Sequence, residues 1–194
     1  LPAVMAFWLS SPLIDPPTLL ITAAALGWPF AIGKAVIAVA LGLSGGFAVK
    51  AAMMAGWFSN PLKPDWLVCK LTEAFLIKWL ALAYVLEALL VTYVPADMIA
   101  GLVGGEGVVP IGIAALVGMP AYLNSYVAPP LLAGLMEQGM SNGAAMSFMI
   151  SGAVSSVPAM AAVWSLVKKP VFAAYIGLGL SGAIVSGVIF QMVV

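Results

Sequence analysis

Three long, predominantly apolar stretches constrain this chain more than any other feature of its sequence. They cover Phe30–Trp57, Leu71–Val94 and Val171–Val194, and each reaches the ~20 residues that a helix needs to cross the hydrocarbon core of a bilayer. Their apolar residues are continuous and do not alternate with polar ones, which argues against a transmembrane β-barrel. The sequence therefore predicts an all-α polytopic membrane protein.

The charge content excludes most soluble alternatives. Charged residues make up 7% of the chain and hydrophobic residues 64%, with no histidine, whereas soluble domains carry roughly 25% charged residues. The net charge of zero gives no electrostatic basis for binding nucleic acid. Motifs of nucleotide-binding and hydrolytic enzymes are absent from the sequence, so we expect neither an enzyme nor a cofactor. Cys69 is the only cysteine, which is too little for a disulfide or a metal site.

A polar, proline-rich break separates two short apolar runs near the start of the chain. It covers Ser10–Pro17, and its prolines oppose a straight helix. We interpret residues 1–26 as two short helices that form a re-entrant hairpin, with a broken spanning helix as the alternative. Similar breaks occur at Asn124–Pro130 and at Ser151–Pro158.

Residues 141 positions apart match in type and order. Pro17 corresponds to Pro158 and Pro29 to Pro170, and both units read as short run, Ser-rich break, short run and long span. We predict a first repeat over residues 1–57, a connecting helix and loops over 58–106, and a second repeat over 107–194. The counterpart of Asn124 would precede residue 1, so we expect the first repeat to be incomplete and the chain to be truncated at its N-terminus.

The lysines predict the direction of the long spans. Around the first span they lie mainly at its end, and around the last span they lie at its start: Lys50, Lys63 and Lys70, then Lys168 and Lys169. Cytoplasmic loops are enriched in lysine, so the first span should run inward and the last outward. The two repeats would then be inverted, as in many secondary transporters. Counting crossings, we expect 71–94 to cross outward, 108–136 to cross inward with a break, and 1–26 and 143–167 to be hairpins from opposite faces.

Polar residues at the breaks and inside the spans are the candidate substrate-binding or coupling residues, because interrupted helices expose unpaired backbone N–H and C=O groups that suit ions and polar solutes. They are Ser10, Ser11, Asp15, Glu87, Asn124, Ser125, Tyr126, Ser151, Ser155 and Ser156. The alternative for the serines is that they only cap and pack helices.

Asp15 and Glu87 are the acidic candidates. A carboxylate inside the membrane costs about 2.5–3.5 kcal/mol on insertion scales, so its presence suggests a function such as binding a cation or carrying a coupled proton. The alternatives are a solvated turn for Asp15 and a partner on another helix for Glu87. We expect Lys34 to extend toward the membrane interface.

Two segments resemble a known family. FWLSSPLIDPPTLLITAAALGWP (residues 7–29) is similar to the Ser-Pro-Leu-Ile-Asn-Pro element of the predicted permease family that includes the organoarsenical efflux permeases (the ArsP group), and residues 118–160 resemble its second repeat. The resemblance implies an inner-membrane permease, since some members export trivalent organoarsenicals and others are proposed to export metal cations. Asp15 stands where asparagine is usual. The family's Cys-Ser-Cys-like element would lie upstream of Leu1, and its second-repeat counterpart, Asn124-Ser125-Tyr126, has no thiol.

The sequence thus predicts a permease of the bacterial inner membrane. We expect it to export a small solute, a trivalent organoarsenical or another metalloid or metal species, by ion-coupled alternating access. Its partners would be the solute or ion and the lipid bilayer, and the oligomeric state stays open. The alternatives are a passive channel, a copper or zinc efflux transporter, and an intramembrane scaffold.

Overall fold

The computed structural model of this chain is built from helices. It describes residues 1–58, 61–62, 77–78, 81–82, 85, 88–89, 101, 103–105, 107–121 and 126–194, and this part of the chain contains no β-strand. The helices are α1 (Pro2–Ser10), followed by a 3-10 turn (Ser11–Leu13), α2 (Pro16–Leu26), α3 (Trp28–Met54), α4 (Val108–Ala121), α5 (Ala128–Glu137), α6 (Asn142–Val154), α7 (Val157–Leu166) and α8 (Lys169–Val193). The all-α prediction is confirmed for the described residues.

Two helices, α3 and α8, are long and apolar enough to cross a membrane on their own, with 27 and 25 residues. The pairs α1–α2 and α6–α7 pass the same test when each pair is counted as one bent span. The described residues therefore supply two to four membrane spans, as expected of a membrane protein.

Proline starts new helices in this chain. Asp15 is extended, with ψ of 122°, which is the conformation that a following proline favours. Pro16 and Pro17 then occupy the first turn of α2, where a missing N–H removes no helical hydrogen bond. Pro158 and Pro170 stand in the first turns of α7 and α8 in the same way.

The breaks in α1–α2 and α6–α7 bend the chain but do not reverse it. The helix axis turns by 44° between Pro2–Leu13 and Pro16–Leu26, and by 47° between Asn142–Val154 and Ala159–Leu166. A re-entrant hairpin needs a reversal close to 180°, which would also pack its two halves along each other. This geometry favours the broken spanning helix over the hairpins that we expected at 1–26 and 143–167.

The re-entrant element lies instead at α4 and α5. The backbone N–H of Gly105, just before α4, donates to the carbonyl oxygen of Gly139, just after α5, at 3.3 Å. Met140 also forms isolated bridges with Gly104 and Gly105. The chain therefore enters α4 and leaves α5 at the same end of the bundle. Our prediction that 108–136 crosses the membrane is wrong, because a break marked by proline and polar residues does not specify whether the chain continues or turns back.

Helix α4 runs alongside α6 in the same direction. The Ser147 hydroxyl donates to the carbonyl oxygen of Ile111 at 3.1 Å, and further along both helices a methyl group on Gly118 would lie 2.5 Å from Ser151 Oγ. Glycine permits this close approach of the two backbones. The far end of α4 thus reaches into the bundle to the depth of Ser151.

The two long helices are antiparallel neighbours. The ring of Phe30, near the start of α3, lies 4.8 Å from the ring of Phe190, near the end of α8. Further along, Gly182 faces Leu41 and Gly45 approaches Leu178. As α3 proceeds, its partner positions on α8 therefore move backwards, and the opposite directions predicted for the two long spans agree with this packing.

The lysines mark one end of the bundle. Lys50 lies in the last turns of α3, and the backbone N–H of Lys168, just before α8, donates to the carbonyl oxygen of Pro61 at 3.0 Å. At the opposite end, Gln191 Oε1 of α8 accepts from the backbone N–H of Gly143 at 2.8 Å. We call the end with Lys50 and Lys168 the lysine-rich end. Helices α4 and α6 both begin at the opposite end, next to Gln191.

The helix bounds repeat with the predicted offset. Helix α2 begins at Pro16 and α7 begins 141 positions later, at Val157. Helix α3 begins at Trp28 and α8 begins 141 positions later, at Lys169. The packing repeats as well. A methyl group on Gly46 would lie 3.2 Å from the Cβ of Ala6 and 3.3 Å from the carbonyl oxygen of Pro2.

The glycine 141 positions after Gly46 is Gly187, and it has the equivalent neighbours. A methyl group there would lie 2.8 Å from the Cβ of Ser147 and 2.6 Å from the carbonyl oxygen of Gly143. The helix pairs α1–α3 and α6–α8 therefore cross at matching residues.

Candidate functional site

Two of the predicted site residues are joined by a hydrogen bond at an exposed position of the structure. Asp15 lies at the break between α1 and α2, where its side chain is half-buried. Tyr126 lies two residues before α5, in the segment where the re-entrant pair reverses. The Tyr126 hydroxyl donates to Asp15 Oδ2 at 3.3 Å. Residues 111 positions apart are thereby joined, and α2 packs against α5 behind this contact.

Within the part of the chain that the structure describes, the hydrogen bond from Tyr126 is the one that the Asp15 carboxylate accepts. Although it precedes α2 at the capping position, its side chain makes no capping hydrogen bond to the helix. Its backbone carbonyl oxygen instead accepts from the Thr18 hydroxyl at 2.8 Å. The carboxylate is therefore directed to the Tyr126 side of the break, where it offers a negatively charged acceptor beside a phenol.

A lysine that we did not place in the site lies next to it. Lys34 of α3 is fully buried, with 0% of its side chain exposed, so our expectation that it extends to the interface is wrong. Its Nζ lies 3.5 Å from the Thr22 hydroxyl oxygen of α2. The physical reason is packing, since α2 folds back against the first turns of α3 and covers the lysine before it can reach an interface.

The threonines of α2 connect this lysine to the break. Thr22 donates to the carbonyl oxygen of Thr18 at 2.7 Å, and Thr18 donates to that of Asp15. Both threonines are buried and lie on one face of α2, because their spacing of four residues is close to one helical turn. Threonine at this spacing opposite a lysine is the sequence signal that could have identified Lys34.

The predicted serines mostly bond to their own helices. The hydroxyl of Ser10 donates to the Ala6 carbonyl oxygen at 2.9 Å, that of Ser151 to Phe148 at 3.1 Å, and that of Ser155 to Ser151 at 2.5 Å. Such bonds satisfy a hydroxyl where no water is at hand. A substrate contact by these serines remains a prediction.

The other two predicted serines lie at the breaks themselves. Ser11 begins the 3-10 turn after α1, and Ser156 precedes α7 without a capping hydrogen bond from its side chain. Both are half-buried. Ser156 lies 141 positions after Asp15, so it holds the equivalent place in the second unit.

Three candidates fall outside the described residues. They are Glu87, Asn124 and Ser125, and Cys69 lies outside as well. Within the described part of the chain no group of three or more acidic, histidine or cysteine side chains is placed to hold a metal ion. The chemistry that the described site offers is therefore one carboxylate, one phenol and one buried amine.

Comparison with known proteins identifies the family of this chain. A model of the family described as "Predicted permease" matches residues 57–192, which is most of the chain. The chain belongs to the predicted permease family. The expected resemblance is thereby confirmed, and the matched range contains the re-entrant pair and the second unit, while Asp15 and Lys34 precede it.

A curated relative of the family shares part of this sequence. The UPF0718 protein MJ0584 of Methanocaldococcus jannaschii is 28% identical over 127 residues, which cover 63% of this chain and 34% of the relative. The chain thus spans about a third of the length of that relative. The comparison with solved structures gave no match.

Proposed function

We propose that this chain forms part of a membrane permease that exports a small solute, with its binding or coupling site where the re-entrant pair meets the α1–α2 break. The observation that carries the proposal is the hydrogen bond from Tyr126 to Asp15. Irregular backbone inside a membrane is tolerated where it is buried in protein or lines a cavity, and transporters place their sites at such interrupted helices. Membership of the predicted permease family supports the same function.

Alternating access is the mechanism that we propose. It requires two units of similar structure and opposite direction that rock about a central site. The shared offset of the helix bounds, the antiparallel packing of α3 and α8, and the matching crossings at Gly46 and Gly187 support such an inverted repeat. The Tyr126–Asp15 contact links the second unit to the break of the first, so relative motion of the units would change this contact.

We propose ion coupling through Asp15. A carboxylate at a membrane break can carry a proton or bind a cation, and it changes charge when it does so. The Tyr126 hydroxyl donates to this carboxylate, and a hydrogen bond to a charged acceptor is stronger than one to a neutral acceptor. Protonation would weaken this contact and free the tip of the re-entrant pair.

Asn124 and Ser125 precede Tyr126 in the chain, and we propose them as substrate contacts, with Glu87 and the serines of the breaks as further candidates. The substrate that we propose, from the family resemblance, is a trivalent organoarsenical or a related metalloid or metal species. The membrane would be the bacterial inner membrane.

The decisive experiment replaces Asp15 by asparagine in the full-length protein. Asp15→Asn keeps the shape of the side chain and removes its charge, so we expect the protein to insert normally and to lose coupled transport. Uptake into inverted vesicles, with and without an imposed proton gradient, measures this. Glu137→Gln is the matched control, because Glu137 is exposed at the end of α5 and the chemical change is the same.

The outcome separates the alternatives. Full, gradient-driven activity of Asp15→Asn would remove Asp15 from the mechanism. Flux that follows the solute gradient alone in both proteins would indicate a passive channel. Resistance of cells to methylarsenite, arsenite, copper or zinc, measured with the wild-type and Asp15→Asn proteins, identifies the substrate.

A further inference from the structure

Lys34 is the one charged side chain among the described residues that is completely buried. An ammonium has three hydrogen-bond donors, and the neighbour identified for Nζ is the Thr22 hydroxyl at 3.5 Å, a long and therefore weak bond. Burying a charge is costly unless an opposite charge compensates it. The environment of Lys34 therefore calls for a counter-charge.

Among the described residues, Asp15 is the acid on the helix that covers Lys34, so it can supply this counter-charge. The carboxylate lies at the start of α2, the helix whose Thr22 contacts Lys34. In this structure each charge faces a hydroxyl: Asp15 that of Tyr126 and Lys34 that of Thr22. Between them, Thr18 and Thr22 bond to backbone carbonyl oxygens of the same helix.

The second unit provides an internal comparison. The residue 141 positions after Asp15 is Ser156, and the one 141 positions after Lys34 is Tyr175. Tyr175 is also fully buried, and its hydroxyl donates to the carbonyl oxygen of Val154, the last residue of α6. The second unit thus replaces both charges of the first by neutral hydroxyl groups at the same two places.

We propose that Lys34 is the counter-charge of Asp15, so that the two side chains form one electrically neutral unit at the α1–α2 break. The acid and the amine occur together in one unit and are absent together from the equivalent places of the other, which is what pairing requires. Lys34 is then a positioning residue for the Asp15 carboxylate, which accepts the hydrogen bond from Tyr126. Its effect on transport rests on the proposed function of Asp15, whereas the pairing itself does not.

The test uses the second unit as its template. In the full-length protein, Asp15→Ser and Lys34→Tyr each leave one charge without its partner, and the double variant carries the neutral pair of the second unit. We expect both single variants to show reduced accumulation in the membrane and a lower midpoint of thermal unfolding in detergent. The double variant should recover most of both losses. Lys50→Tyr is the matched control, because Lys50 is exposed on the same helix, and it should behave as the wild type.

A role of Lys34 in packing alone gives a different result. Lys34→Tyr would then lower the unfolding midpoint by the same amount whether residue 15 is aspartate or serine. The double variant would show the sum of the two single decreases. That outcome would overturn the pairing, as would a double variant that accumulates no better than the single ones.

Transport by the double variant tests the proposed function separately. A stable double variant without coupled transport supports both the pairing of Lys34 with Asp15 and the role of Asp15 in coupling. A stable double variant with full gradient-driven transport keeps the pairing and refutes the role of Asp15 in coupling.

Discussion

Gly187 offers the sharpest test of the packing that positions the site. It lies on α8 where α4 and α6 both approach, and a methyl group there would lie 2.6 Å from the carbonyl oxygen of Gly143 and 2.7 Å from Ile111 Cγ2. Since non-bonded heavy atoms are most stable about 3.5 Å apart, Gly187→Ala must separate the helices by roughly 0.9 Å. A gap of that size forfeits about a quarter to a half of the attraction between the atoms that it separates.

We expect Gly187→Ala to lower the free energy of unfolding by about 1–3 kcal/mol, the usual cost of inserting a methyl group into a packed interior. Gly177→Ala is the control on the same helix, since a methyl group at Gly177 has no heavy atom within 4 Å. Alanine favours a helix over glycine by roughly 0.5–1 kcal/mol, so the control should be neutral or more stable. Gly46→Ala should fall between them, because its nearest contacts of 3.2 and 3.3 Å require a smaller shift.

The measurement is unfolding of the purified full-length protein by dodecyl sulfate titrated into mixed micelles, followed by tryptophan fluorescence. The order of stability should be Gly177→Ala, Gly46→Ala and Gly187→Ala, from most to least stable. Equal stability of the Gly187 and Gly177 variants would show that α4, α6 and α8 do not meet as described, and the placement of the re-entrant pair would fail with it.

Two further predictions concern the site and the topology. Tyr126→Phe removes the hydroxyl that donates to Asp15, so we expect coupled transport to fall while the protein still inserts, because the carboxylate loses this hydrogen-bond donor. Unchanged transport by a correctly inserted Tyr126→Phe protein would mean that the contact does not serve transport. In a Cys69→Ala background, single cysteines at Val108 and Glu137 should react with a membrane-impermeant maleimide from the same face, and one at Lys168 from the opposite face. Labelling of Val108 and Glu137 from opposite faces would restore the crossing that the sequence predicted.

Local signals in the sequence located the breaks but not the direction of the chain after them. Pro16, Pro17 and Pro158 lie in the first turns of new helices, as the sequence indicated. A proline in a first turn is compatible with a bend of 44° and equally with a reversal, because it restricts only its own φ and the preceding residue. The choice depends on contacts between distant residues, such as the bond from Gly105 to Gly139, which no local pattern contains.

Lys34 was misjudged for a related reason. Its position six residues after Trp28, the start of a long apolar helix, is where a lysine ordinarily reaches an interface. Only the packing of α2 against α3 shows that Thr22 covers this position. Asp15 was predicted because a carboxylate inside the membrane is costly, and Tyr126 because it is part of the polar break at Asn124–Pro130.

Placing the re-entrant element at α4 and α5 also determines how many times the chain crosses between α3 and α6. If α1–α2 and α6–α7 each cross the membrane and point in opposite directions, the chain between α3 and α6 must change ends an odd number of times. Residues 61–62 lie at the lysine-rich end and residues 103–105 at the other, and the sequence predicts a single span at 71–94 between them. The re-entrant pair then enters and leaves at the same end and adds no crossing. A crossing by 108–136 would make the two units parallel, which the antiparallel packing of Phe30 against Phe190 contradicts. If the units are inverted as we propose, the re-entrant pair is what makes two opposed units compatible with one continuous chain, and Tyr126, two residues before its second helix, is the residue that contacts Asp15.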